Sequence, residues 1–138
     1  MPGLTIHEFS DMLAHHFHDI NAEWINAMFK LEATDREVLE NPRTKIVDPG
    51  GVILFVEARG LGIVGTCALQ KTGKRSFELT KMGVRESARG LKAGEFLLEA
   101  MIARAMQLGL ITVSTKASRS FSNLATLRKF GSTIVGRS

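Results

Sequence analysis

The rhythm of apolar and polar positions changes near residue 50. Upstream, apolar residues recur at helical spacing. Phe9, Met12, Leu13, Phe17 and Ile20 follow or flank a candidate N-cap at Ser10, and Trp24, Ile25, Met28 and Phe29 line a second piece, Ala22–Leu31. A third helix is predicted from Thr34, where Thr34-Asp35-Arg36-Glu37 has the form of a capping box, to Asn41-Pro42. The first 45 residues therefore read as helical. After the turn cluster Asp48-Pro49-Gly50-Gly51 the pattern becomes that of strands. Val52–Ala58 is apolar almost throughout, which predicts a strand buried on both faces. A hairpin turn at Arg59–Gly62 leads to Ile63–Leu69, and Thr72-Gly73-Lys74 turns the chain into a third strand from Ser76. Period-two counting puts Phe77 and Leu79 on one face of that strand and Glu78, Thr80, Met82 and Val84 on the other. Gly83 interrupts the run and predicts a bulge or a close approach to the backbone there.

A long helix follows, running to about Leu108. It has a stripe of Gly94, Leu97, Leu98, Met101, Ala105 and Leu108, widened by Phe96, Ala100 and Ile102, and Gly109 closes it. Ile111–Thr115 is the next strand, parallel to the third through the helical crossover, and Phe121–Phe130 reads as a last helix. The chain of 138 residues is expected to form a single domain with a core of its own.

Charge changes this picture because it is divided. Residues 1–70 carry five Lys/Arg against ten Asp/Glu, and residues 71–138 carry thirteen against four, giving net −5 and net +9. A basic half attracts polyanions, either nucleic acid or a phosphate-rich cofactor. Aromatic content of 7% and the lack of zinc spacing or an RNP-like strand argue against nucleic acid. No basic-then-apolar leader and no apolar run of about 20 residues is present, so a cytoplasmic protein without a membrane partner is expected. Cys67 is the single cysteine and reads as a small buried residue rather than a nucleophile. His15, His16 and His18 lack a convincing further ligand, so no metal is expected.

The cations gather at one place. Arg85, Arg89 and Lys92 lie around Gly90 and Gly94 at the start of the long helix. A first helical turn leaves backbone N–H groups unpaired at the positive end of the macrodipole, so small residues and cations there suit a phosphate. A basic glycine-containing turn with no ligand is the plainer reading of the same residues.

The order strand, Met82-Gly83-Val84, Arg89-Gly90-Leu91-Lys92-Ala93-Gly94, apolar helix resembles the acetyl-CoA signature of the GCN5-related N-acetyltransferase (GNAT) superfamily, Arg/Gln-x-x-Gly-x-Gly/Ala. Arg89 and Gly94 match its first and last positions, and Lys92 stands where glycine is usual. The resemblance extends over the order of elements to about Gly131. It implies an α/β fold of three layers, α-β-α, around a mixed, mostly antiparallel sheet, and an N-acetyltransferase that uses acetyl-CoA as co-substrate. By the same resemblance the signature strand and the fifth strand splay apart at the bulge. The backbone around Met82, Gly83 and Val84 would hold the pantetheine and thioester carbonyl. The amides of Arg89, Gly90, Leu91, Lys92, Ala93, Gly94 and Glu95 would hold the pyrophosphate. Glu78 resembles the family's general base, and an apolar floor beside it would raise its pKa toward the working pH. The alternative for Glu78 is a glutamate paired with a nearby Arg or Lys. The acceptor would be a small-molecule or peptide amine.

The resemblance weakens at the C-terminus. Leu127 occupies the place of the family's tyrosine acid, and STIVGRS after Gly131 is short for the two strands that normally follow. An uncovered fifth-strand edge predicts a homodimer that covers it mutually. A non-catalytic acyl-CoA-binding domain is the main alternative to an enzyme, and a nucleic-acid-binding module a more remote one.

Overall fold

Five strands and three α-helices carry most of the described chain. The structure is a computed structural model and describes residues 3–28, 32–74, 76–108 and 112–115; the side chains of Trp24, Ala27, Met28 and residues 112–115 are not described. In chain order the elements are β1 (Leu4–Glu8), α1 (Ala14–Met28), α2 (Ala33–Glu40), β2 (Val52–Ala58), β3 (Gly62–Gly73), β4 (Ser76–Val84), α3 (Ala93–Gln107) and β5 (Thr112–Thr115). The sheet runs β1-β2-β3-β4-β5, antiparallel through β4, with β5 parallel to β4. This is the mixed, mostly antiparallel sheet expected.

Helices cover both faces of the sheet, because β2 and its neighbours are apolar on both. Leu54, Val56 and Ala58 of β2 join Cys67, Leu69, Phe77, Leu79 and Met82 beneath Leu97, Leu98, Met101 and Ala105 of α3. Ile53 and Phe55 point the other way, into a smaller cluster with Ala68 and with Phe17 and Ile25 of α1 and Leu39 of α2. Cys67 is wholly buried in the first cluster, and that burial pushes its thiol pKa far up, as suits an inert apolar residue.

The N-terminal segment differs from the helical reading. Leu4–Glu8 is a strand whose residues pair with β2 from Leu4–Ala58 to Glu8–Leu54. Leu4 and Ile6 alternate with Thr5 and His7 and pack on the α3-side cluster, a period-two signal too short to outweigh the helical spacing after it. The two predicted helical pieces around residue 20 are one helix, α1, which begins at Ala14 rather than just after Ser10. The capping box at Thr34 does not form: α2 starts at Ala33 behind Glu32, with no side-chain cap, and Asp35 is engaged elsewhere. Arg43–Val47 adds an unforeseen π-helical turn before the Asp48–Gly51 turn. Leu108, expected in the buried stripe of the long helix, ends it half exposed. The predicted last helix, the tyrosine position at Leu127 and the tail behind the dimer expectation all lie outside the described residues, as do Phe29, Gly109 and Ile111. Among the described residues no helix is long and apolar enough to cross a membrane.

Candidate active site

The site is built on the end of β4. Its bulge is not at Gly83 but just before it, at Lys81–Met82. Thr66 pairs with Gly83 and Ala68 with Thr80, so Lys81 and Met82 together face the single residue Cys67. Lys81 has φ 51°, the left-handed region, which costs a residue with a Cβ about 1–2 kcal/mol. Gly83, the residue best able to take that conformation, does not adopt it.

The extra residue corrects the assignment of faces. Phe77, Leu79 and Met82 all enter the α3-side core, and Val84 packs against it. Glu78 and Thr80 therefore point to the opposite, α1/α2 side, and do not share a face with Met82 and Val84. Period-two counting fails here because a bulge shifts the alternation by one. Lys81 also reaches toward the α1/α2 side: its Nζ lies 2.9 Å from Asp35 Oδ1 of α2, with 19% and 28% of the two side chains exposed.

Pairing between β4 and β5 runs from Ser76–Thr112 to Leu79–Thr115 among the described residues. Glu78 sits within it, beside Ser114, just ahead of the bulge. Past the bulge the chain is tied to β3 once more, where the Arg85 amide donates to the Val64 carbonyl at 2.7 Å. The Arg85 side chain turns toward α1, with Nε on the Ile63 carbonyl at 3.3 Å and Nη1 3.6 Å from Glu23 Oε1.

The turn into α3 has the donors a phosphate needs. A single 3₁₀ turn, Glu86–Ala88, precedes Arg89, after which Gly90 takes φ +88° and Lys92 φ 59°. Lys92 is the N-cap of α3, in the left-handed region and without a side-chain cap. Backbone hydrogen bonds take up the amides of Arg89, Leu91 and Phe96, so the first two are not the open donors expected, whereas none among the described residues takes up those of Gly90, Lys92, Ala93 or Gly94. Arg89, Gly90, Leu91 and Lys92 are exposed, Ala93 is buried, and Glu95 is partly buried in the first helical turn. A Cβ at Gly94 would meet Val84 Cγ2 at 3.5 Å and Met82 Cε at 3.6 Å, ordinary contact that the fold itself tolerates. Glycine at 94 is thus not required by packing. A pyrophosphate fits this donor set of amides and two exposed cations.

His15 and His16 lie ring to ring at 4.0 Å, His18 Nδ1 is 3.0 Å from Asp19 Oδ1, and among the described residues no three potential ligands converge. Sequence reasoning weighed His16 only as a metal ligand and Asp35 only within a capping box, and passed over Lys81. Among the described residues His16 Nδ1 is buried without a hydrogen-bond partner, and desolvation, reinforced by His15 and Arg85, holds its pKa below the usual histidine range. An Asp–Lys contact between residues 46 apart has no local signal in the sequence.

Comparison with known proteins agrees with this architecture. The model of the acetyltransferase (GNAT) family matches residues 14–131. An acetyltransferase of the GNAT family from Staphylococcus aureus is similar with a TM-score of 0.75 at 20% identity, over 94% of this chain and 81% of that one. A predicted acetyltransferase from Clostridium acetobutylicum, solved with acetyl-CoA, gives 0.74 at 14% identity over 93% and 88%. Glucosamine-6-phosphate N-acetyltransferase from Arabidopsis thaliana gives 0.65 at 15% identity over 91% and 88%. Identities this low carry the fold alone. No curated protein matches the chain.

Proposed function

The chain belongs to the GNAT acetyltransferase family and is an N-acetyltransferase, and from that premise we propose that it moves an acetyl group from acetyl-CoA to an amine by direct attack, at the end of β4. One observation carries the reading: β4 bulges at Lys81–Met82 and leads within a few residues to the start of α3, which has no side-chain cap. An amide-bearing chain ending in phosphates suits a bulged strand that leads to a helical N-terminus.

Met82, Gly83 and Val84 are the segment along which the pantetheine would lie. Within the stretch from Arg89 to Glu95, the amides of Gly90, Lys92, Ala93 and Gly94, with the Arg89 and Lys92 cations, would take the pyrophosphate. The α3 side of β4 is closed by Met82, Leu79 and Leu97, so the amine approaches from the α1/α2 side. Glu78 faces that side. Its carboxylate would accept the ammonium proton, and the freed lone pair would attack the thioester carbon. A backbone N–H near Val84 would hold the oxygen as negative charge develops, and the carbon–sulfur bond then breaks to release CoA as the thiolate. The acceptor is a small-molecule or peptide amine.

Incubation with acetyl-CoA and a panel of primary amines tests the reading, with CoA thiol and N-acetylated product followed together. Stoichiometric appearance of both with at least one amine supports it. Acetyl-CoA that fails to bind, or release of CoA at the same rate with every amine and with none, overturns it.

A further inference from the structure

The bulge in β4 lies at a residue that backbone preference disfavours, while the glycine two positions on stays in ordinary strand conformation. Something must hold it there. If the bulge moved to Gly83, the alternation of side chains would shift over the residues between. Lys81 would turn into the apolar layer under α3, and Met82, now only 4% exposed there, would turn out toward α2. Two contacts oppose that exchange: the burial of Met82 on one face, and the Lys81–Asp35 ion pair at 2.9 Å on the other. Both partners of the pair are largely shielded, so it is not a fully solvated surface contact of negligible effect.

We propose that Asp35 of α2 and Lys81 are a positioning pair for the transfer reaction, holding the β4 bulge at residue 81 and so fixing where the thioester end of acetyl-CoA lies. The proposal rests on the reading of Met82–Val84 as the pantetheine segment. The pair joins the two sides of the reaction: Lys81 belongs to the strand that takes the thioester, and Asp35 to the helix on the face where the amine arrives. It touches neither the phosphate turn nor the reacting atoms. Its loss should therefore act on the acyl half of the cofactor and leave the nucleotide half alone.

Backbone chemistry supplies the test. Lys81→Ala removes the ion pair and keeps the Cβ that disfavours positive φ, so the bulge is released. Lys81→Gly also removes the pair, but glycine accepts positive φ freely, so the bulge stays. Asp35→Asn leaves the lysine in place without its counter-charge. Affinities for acetyl-CoA, and for its nucleotide portion alone (phosphoadenosine diphosphate), are measured by calorimetry on full-length variants whose circular dichroism matches wild type. Lys81→Ala and Asp35→Asn should weaken acetyl-CoA about tenfold and leave the nucleotide portion unchanged, while Lys81→Gly stays within about threefold of wild type. Equal acetyl-CoA affinity in all four proteins overturns the proposal, as does equal weakening of Lys81→Ala and Lys81→Gly, which would make the charge rather than the backbone the requirement. Acetyl-CoA that fails to bind even wild type would instead overturn the functional reading beneath it.

Discussion

The two faces of the sheet are built by different physics. Beneath α3 the side chains are apolar without interruption: Leu54, Val56, Cys67, Leu69, Phe77, Leu79, Met82, Leu97, Leu98 and Met101 are each at most 5% exposed. On the α1/α2 side a smaller apolar cluster around Phe17, Phe55 and Ile46 gives way toward the end of β4 to polar residues. There Glu78 and Thr80 project from the strand, Lys81 pairs with Asp35, and Arg85 with Glu23. The first face provides stability and holds α3 in place. The second keeps charged groups on the side proposed for the amine. A single inserted residue in β4 serves both, because it returns Met82 and Val84 to the apolar side after leaving Glu78 and Thr80 on the polar one.

The strongest way to break this arrangement is at the end of α3 that meets β4. Gly94→Asp should abolish acetyl-CoA binding, since it places a carboxylate on the amides proposed for the pyrophosphate. Gly94→Ala is the control: its Cβ meets Val84 and Met82 at 3.5 and 3.6 Å, so the fold persists and binding weakens less. Calorimetry showing wild-type affinity in Gly94→Asp would remove the phosphate cradle from this turn. On the polar face, Glu78→Gln should keep acetyl-CoA affinity and lower turnover by about 10²–10⁴-fold, the usual effect of a positioned base, with partial recovery at higher pH as more amine is already neutral. An unchanged rate at neutral pH would leave Glu78 a structural residue of the β4–β5 pair.

How much of this was legible in the sequence divides along the same line. Every element whose burial is continuous could be read: Val52–Ala58 is found as predicted, β4 begins at Ser76, and the stripe Leu97, Leu98, Met101, Ala105 is buried. The turn before α3 could be located because glycines, cations and a helix start are local signals. The bulge position could not. Gly83 is the cheaper residue for positive φ, and the contacts that favour Lys81 come from α2 and α3, far away in the chain. The faces of Glu78 and Met82 were misassigned for that one reason. Strand β1 was missed because five residues of alternation carry little signal until β2 lies beside them.

The apolar face can be weakened without touching the chemistry. Leu97 of α3 is fully buried against the sheet, three residues beyond Gly94. Leu97→Ala should lower unfolding free energy by about 2–5 kcal/mol, the range for a buried leucine that leaves a cavity. In the variant still folded at low temperature, acetyl-CoA affinity should change little compared with Gly94→Asp. Denaturant melts and calorimetry on the same samples check both halves. A large loss of affinity with little loss of stability would mean that the helix start is positioned by this leucine rather than by the backbone at Lys92.

The smallest effect expected is a pH dependence on the polar face. His16 of α1 has its pKa held below the ordinary histidine value, first by desolvation, then by the charges of His15 and Arg85, with Asp19 acting in the opposite sense. Its Nδ1 is buried and makes no hydrogen bond among the described residues. The unfolded chain binds a proton on this residue at a higher pH, near the ordinary histidine value of 6.5. Between the two pKa values the unfolded state therefore holds more protons, and stability falls as pH falls through that window. Above it the neutral imidazole contributes its full share; below the folded pKa the loss is complete and no longer grows. His16→Asn keeps a polar group near Nδ1 and does not titrate. Urea midpoints measured from about pH 7.5 to about pH 5 should fall less steeply in the variant than in wild type, with the two curves diverging below the usual histidine pKa. Parallel curves across that range would mean that His16 titrates alike in the folded and unfolded chains, and that the polar face makes no demand on its protonation.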